Sequence, residues 1–393
     1  MSRLFFYNRL LYLTVLLFFF QCGQSQPKQT SQVITGAEQT IEYLDMIQGK
    51  RVALVVNQTS MIGKRHLLDT LIDLNLEIVK VFAPEHGFRG NAPNGTTIHD
   101  GRDVATGTPI LSLYGKNKKP SQQQLEDVDV VIFDIQDVGA RFYTYISTMH
   151  YLMEACAEYG VQLIILDRPN PNGYLVDGPI LEDGFQSFVG MHCIPVLHGL
   201  TVGELAQMII GENWLESNAS LDLKIVTIKN WDHNTPYSLP VPPSPNLPND
   251  QSVALYPSLC LFEGTSISVG RGTEMPFQVY GAPFPQLGAF TFKPVSVPHA
   301  SKYPVHENEL CYGKDLRESK RPKKLDLRYL LQTYHSYPDS SKFFNDFFDV
   351  LAGTASLRTQ ITNGYTLDQI ENSWLPGLTE YKRMRKKYLL YAD

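Results

Sequence analysis

Glu85 and Glu263 lie far apart in the chain, yet each sits in a glycine-punctuated segment with ionisable neighbours. The first segment is Pro84-Glu85-His86-Gly87-Phe88-Arg89-Gly90. The second joins Phe262-Glu263-Gly264-Thr265 to Gly270-Arg271-Gly272-Thr273-Glu274. Glycine permits the sharp backbone turns that aim side chains into a cleft. Two carboxylates brought from opposite walls suit glycoside hydrolysis. One donates a proton to the leaving oxygen, and the other acts as nucleophile, base or orienter of an acetamido group. Desolvation by Phe88, Phe142 or Phe262 would raise the pKa of the donor. Glu274 and Asp137 are reserve carboxylates, and Arg271 can clamp an anion bidentately.

The other candidates follow apolar runs. Asn57 follows RVALVV, while Glu85, His86 and Arg89 follow EIVKVF. Asp134 lies near the end of DVVIFDI and Gln136 and Asp137 follow it, with Arg141 and Tyr143 just beyond. Asp167, Arg168 and Asn170 follow VQLIIL, and His198 precedes a helix start. Short, β-branched, nearly unbroken apolar runs read as strands buried on both faces of a parallel sheet. Ligands bind outside the carboxyl ends of such strands, so this rim reads as a binding edge. Plainer roles compete: Arg141 in an ion pair that fixes its loop, Asp167 and Arg168 as turn-formers, His198 as a satisfied structural residue.

Helical stretches over 37–47, 66–74 and 145–159 alternate with the strands, and Gly160 stands where a C-cap glycine belongs. Thr201 and Glu204 form a capping box. The expected class is α/β: a Rossmann-like parallel-sheet domain over 33–235, then a smaller α+β domain over 236–393. The boundary falls in 222–250, whose Pro-rich LPVPPSPNLPND reads as an extended connector. Helices are expected near 341–351 and over 367–391, with the basic run 382–387 as a solvated face. No GxGxxG or P-loop follows a strand, and no cofactor is expected.

A net charge of -6 gives no electrostatic footprint for nucleic acid. Residues 1–22 carry Arg3, Arg9 and an apolar stretch shorter than the ~20 residues of a membrane span, so they read as a signal peptide. Cys22 directly after that stretch resembles a lipidation site, and 23–32 reads as a tether. The protein is thus expected to be exported, periplasmic and touching the membrane only through Cys22. Cys156, Cys193, Cys260 and Cys311 show no CxxC or zinc spacing and read as free buried thiols; no metal site is expected.

The strings VALVVNQTS, FAPEHGFRG, SLYGKNKKP, VVIFDIQDVGARFYTYISTM, ILDRPNPNG, HGLTVGEL, PPSPNLP and YPSLCLFEGTSISVGRGTEMPFQ resemble the bacterial exo-β-N-acetylmuramidases of the NamZ type, over about 33–393. The resemblance implies release of N-acetylmuramic acid from the non-reducing end of peptidoglycan fragments, with the site between a Rossmann-like domain and a smaller one. It also implies a homodimer. The lactyl carboxylate of that sugar calls for a cation, for which Arg89, Arg141, Arg168 and Arg271 are candidates. Exo action needs a cleft blocked at one end, a task for loops such as 98–114. Competing readings are a non-catalytic muropeptide-binding lipoprotein, and a metal-dependent hydrolase built on Glu85, His86, Asp134, Asp137 and His198.

Overall fold

Alternate residues of the central strand belong to different cores. Ala53 and Val55 pack into one hydrophobic cluster, and Val52, Leu54 and Val56 into another. Side chains in a strand point alternately to the two faces, so an unbroken apolar run is what a sheet covered on both sides requires.

The computed structural model describes residues 32–85, 87–88, 100–217 and 219–393. The parallel strands are β1 (Arg51–Val56), β2 (Glu77–Ala83), β3 (Pro109–Ser112), β4 (Val130–Asp134), β5 (Gln162–Leu166) and β6 (Leu223–Val226). Their order across the sheet is β3-β2-β1-β4-β5-β6, with the short strand Gly101–Arg102 antiparallel at the β3 edge. This is the doubly wound order, and the direction of winding reverses between β1 and β4. Helices α1 (Thr40–Ile47), α2 (Leu67–Asp73), α3 (Tyr145–Tyr159) and α4 (Val202–Gly211) accompany the strands. Gly160 caps α3 in the left-handed conformation at φ 67°, and Thr201 with Glu204 closes the capping box of α4.

Beyond the Pro-rich connector, α5 (Asp250–Leu259) leads to a three-stranded antiparallel sheet of Val279–Ala282, Phe290–Phe292 and Cys311–Asp315, followed by helices. The architecture is therefore the expected Rossmann-like sheet with a smaller α+β part. One large core cluster runs through both, joining Val55, Phe133 and Met149 to Leu255, Phe348 and Leu378.

The helix expected near 341–351 is split. Backbone bonds from Ser266 N to Phe343 O and from Asn345 N to Gly264 O interrupt it, leaving Ser340–Lys342 and Phe347–Ala352 as separate turns. The final helix, Leu367–Arg385, folds back on the first part. Tyr381 Oη donates to His198 O at 2.6 Å, and Arg385 Nη2 donates to Gly199 O at 2.6 Å. Arg385 is thus buried, so the basic run is not uniformly a solvated face. Cys156, Cys260 and Cys311 are buried and Cys193 half-buried, all free thiols. Cys22, the signal segment and the tether lie outside the described residues.

Candidate active site

Glu85 and Glu263 line one cavity of about 260 Å³. Its wall takes Tyr114 from beyond β3, Phe142 to Tyr145 from the start of α3, Asn246 from the connector, and Tyr256, Cys260, Arg271 and Phe277 from the later half. Glu263 stands at the end of a 3₁₀ turn, Cys260–Gly264, that continues α5. Gly264 makes this turn possible, because a Cβ there would lie 2.4 Å from Phe348 Cα.

The two carboxylates are held differently. Glu85 Oε1 accepts from Tyr114 Oη at 2.8 Å, and Oε2 accepts from Thr144 Oγ1 at 3.0 Å. Glu263 Oε1 accepts from Arg271 Nε at 2.5 Å, while Oε2 faces Cys260 Sγ at 3.6 Å. Arg271 also lies over the Phe277 ring at 5.0 Å. Burial opposes its charge, but the Glu263 carboxylate outweighs that and raises its pKa. Burial drives the phenols of Tyr143, Tyr145 and Tyr256 and the Cys260 thiol above their ordinary values, so these groups stay protonated around the cavity.

Most of the rim candidates have a different task from the ligand contact expected of them. Arg168 grips Asp134 with Nε–Oδ1 at 2.5 Å and Nη2–Oδ2 at 2.9 Å, and both are buried. Asp167 accepts from Arg168 N, Gly203 N, Thr201 Oγ1 and Tyr391 Oη. Burial raises its pKa to about 6, against the donors from Tyr391, Gly203 and Thr201. Arg141 is fully buried and donates to the carbonyls of Pro179, Ile194, Leu351 and Ala352. Among the described residues it makes no Asp pair; the loop-fixing ion pair is Asp134–Arg168 instead. Asn57 Oδ1 accepts from Thr59 N and Oγ1, and Asn170 bridges Leu200 O and Asn172 N.

Asp137 and His198 are buried 3.6 Å apart, and Asp137 Oδ2 accepts from Gly139 N at 2.7 Å. Neither lines the cavity. Tyr143 does, with its hydroxyl donating to Pro243 O at 2.8 Å and so tying the connector down. Glu274 is exposed and stands outside the cavity wall. Of the aromatic rings expected to desolvate the donor, Phe142 is in the wall, Phe262 stacks on Tyr280, and Phe88 packs edge-on to His66. His86 and Arg89 lie outside the described residues. Of the residues in the metal-hydrolase alternative (Glu85, His86, Asp134, Asp137 and His198), Asp134 is closed off by Arg168 and His86 lies outside the described residues. Among the described residues no three His, Cys, Asp or Glu side chains converge as ligands.

Residues 52–251 match the family model described as exo-β-N-acetylmuramidase NamZ, N-terminal, and residues 254–391 match the corresponding C-terminal model. The chain belongs to the NamZ exo-β-N-acetylmuramidase family. It is 39% identical over 398 residues to the peptidoglycan β-N-acetylmuramidase NamZ of Bacillus subtilis (strain 168), covering 94% of each chain. Two crystal structures of DUF1343 family proteins from Bacteroides fragilis NCTC 9343 are similar to it. One has 47% identity and a TM-score of 0.86, covering 92% of this chain and 100% of that one. The other has 30% identity and a TM-score of 0.79, covering 92% and 99%.

In this NamZ-family chain the sequence singled out Glu85, Phe142, Tyr143, Glu263 and Arg271 among the cavity residues, and passed over Tyr114, Thr144, Tyr145, Asn246, Tyr256 and Cys260. Tyr114 had a signal. It lies two residues beyond the end of β3, the same strand-end position that picks out Glu85. Tyr256 and Cys260 sit one helical turn apart, one turn before Glu263, so they share its side of the helix end.

Proposed function

We propose that this chain releases N-acetylmuramic acid from the non-reducing end of peptidoglycan fragments such as MurNAc-GlcNAc, in cell-wall turnover and recycling. The observation that carries the reading is the meeting of Glu85 and Glu263 in one cavity. Their partners divide the labour. Guanidinium has donors only, so the Glu263 oxygen facing Arg271 must accept. Tyr and Thr hydroxyls can donate or accept, so these two contacts of Glu85 persist whether or not it carries a proton. Glu85 is therefore assigned as the proton donor. Glu263 is the carboxylate that faces the anomeric centre or orients the acetamido group.

Among the described residues, Arg271 is the cation in the cavity wall. It spends Nε on Glu263, and its Nη groups make no hydrogen bond with the described residues, which leaves them for the lactyl carboxylate. The basic residues and apolar stretch before Cys22 support export and a lipid anchor at that cysteine in the periplasm. Labelling with a radioactive fatty acid, lost in Cys22→Ala, tests the anchor. The homodimer implied by the family resemblance is tested by light scattering.

The deciding experiment is hydrolysis of a chromogenic β-N-acetylmuramide in parallel with the matching β-N-acetylglucosaminide. Release from the muramide alone is expected. Release from neither, with tight binding of MurNAc-GlcNAc, overturns the reading in favour of a binding lipoprotein.

A further inference from the structure

The C-terminal helix Leu367–Arg385 and the turn after it present two kinds of cation. Arg383 is paired with Glu380, Lys387 with Glu212, and Arg385 with Asp393. Lys382 and Lys386, one turn apart, have no carboxylate partner among the described residues. These two line an open groove of about 630 Å³ that shares no residue with the Glu85–Glu263 cavity. Lys323 and Lys324 stand in the same lining. Lys323 is likewise unpaired, while Lys324 meets Glu371.

The groove carries five cationic side chains against two acidic ones, Asp177 and Asp393. Both acids are occupied: Asp177 accepts from Leu325 N, Gly178 N and Trp374 Nε1, and Asp393 holds Arg385. The local charge is thus opposite in sign to the net -6 of the chain. Such a concave positive patch concentrates anions. Leu375, Leu378, Val176 and Tyr174 share the lining with the lysines, so the groove offers apolar surface as well as charge. Apolar walls suit a peptide backbone and its side chains better than an inorganic ion, and a concave shape suits a chain better than a membrane face.

We propose that this groove is a second binding site, and that it holds a short peptide bearing two or more carboxylates. Muramic acid in peptidoglycan carries an acidic peptide on its lactyl group, which supplies such a ligand in the proposed substrate class. That choice of source rests on the function proposed above; the site itself does not. Lys382 and Lys386 engage the carboxylates, Lys323 closes the opposite wall, and the leucines pack the backbone between them. Bound here, a peptide released from the lactyl group is held apart from the cavity, with which the groove shares no residue.

The test is calorimetric titration of the full chain with the sugar-free tetrapeptide L-Ala-γ-D-Glu-diaminopimelate-D-Ala. Binding is expected, weakened about ten-fold or more by the double charge reversal Lys382→Glu with Lys386→Glu, and weakened by added salt. Both side chains are exposed, so the variant should fold and hydrolyse the chromogenic muramide at the parent rate. No binding, or binding that the variant retains, overturns the proposal. So does a groove that takes pyrophosphate or anionic phospholipid vesicles in a Lys382- and Lys386-dependent way while ignoring the peptide. If the parent binds the peptide but never cleaves the muramide, the proposed function falls and the groove stands.

Discussion

The rim of the parallel sheet and the wall of the cavity are built from the same residue types, with opposite outcomes for their charges. On the rim, Asp134 is fully buried against Arg168, Asp167 has four donors, and Arg141 has four carbonyls. In the cavity, Arg271 and Glu263 keep 18% and 25% of their side-chain surfaces open, and both line the wall. Both regions lie near strand or helix ends, where backbone groups run out of partners. At the rim, side chains meet that need and fasten one loop to the next, as Ser60 Oγ does for Asp134 O and Gln136 Nε2 for Pro169 O. A dense set of ionisable groups at strand ends therefore marks either a site or a fastening. Closure of the charged groups by the protein's own donors and acceptors, as at Asp134, Arg168 and Asp167, separates the two.

The sharpest way to break this comparison is to neutralise one group from each region. Glu85→Gln or Glu263→Gln should lower turnover of the muramide about 10²–10⁴-fold, with the thermal midpoint nearly unchanged. Near-normal turnover by either variant would remove that carboxylate from the chemistry. Arg168→Met should do the reverse, because it leaves Asp134 buried and unpaired. The expected loss is about 3–5 kcal/mol in urea unfolding, while the folded fraction keeps its activity. A stable Arg168→Met protein with lost activity would return the rim to the active site.

Why did the sequence show the sheet so clearly and the site only in part? Burial on both faces writes itself into composition, so β1, β2, β4 and β5 were legible as apolar runs. Strand β3 was not. Pro109-Ile-Leu-Ser112 is four residues long, begins with proline and lies near the sheet edge, so it reads as loop, and Tyr114 went unseen with it. Glu85 and Glu263 were legible because their flanking glycines announce tight turns. The fate of Arg141 was illegible for a different reason. Its four carbonyl partners come from Pro179, Ile194, Leu351 and Ala352, and nothing local reveals that the chain will return to cover it. Partners distant in sequence also decide Asp167, whose hydroxyl donor Tyr391 arrives from the other end of the chain.

Asp167 sharpens the comparison through pH. Burial lifts its carboxyl from 3.8 to about 6, so the folded state holds that proton more tightly than the unfolded chain does. Its contribution to stability is fully present below pH 3.8 and is lost as pH rises through about 6. The full swing amounts to about 3 kcal/mol. Urea midpoints measured between pH 4 and 7 should therefore carry a falling component that Asp167→Asn removes. An identical slope in the variant would mean that the four donors already compensate burial.

Tyr114 gives the smallest effect and separates a fastening from a working partner inside the cavity itself. Its hydroxyl donates to one Glu85 oxygen, and Thr144 donates to the other. Tyr114→Phe keeps the ring in the wall and deletes one bond to the carboxylate, a change of about 1 kcal/mol for a neutral donor and up to about 3 for a charged acceptor. If the hydroxyl only holds Glu85 in place, kcat should fall about ten-fold with KM unchanged and the pH profile unmoved. A hydroxyl that also stabilises the ionised form would act on the profile: its loss should move the alkaline limb to higher pH. A profile that shifts in Tyr114→Phe but not in Thr144→Val would assign the tuning to Tyr114. With neither variant shifted, both hydroxyls fasten Glu85 as Thr201 and Tyr391 fasten Asp167, and the line between rim and cavity would then rest on exposure rather than on the kind of partner.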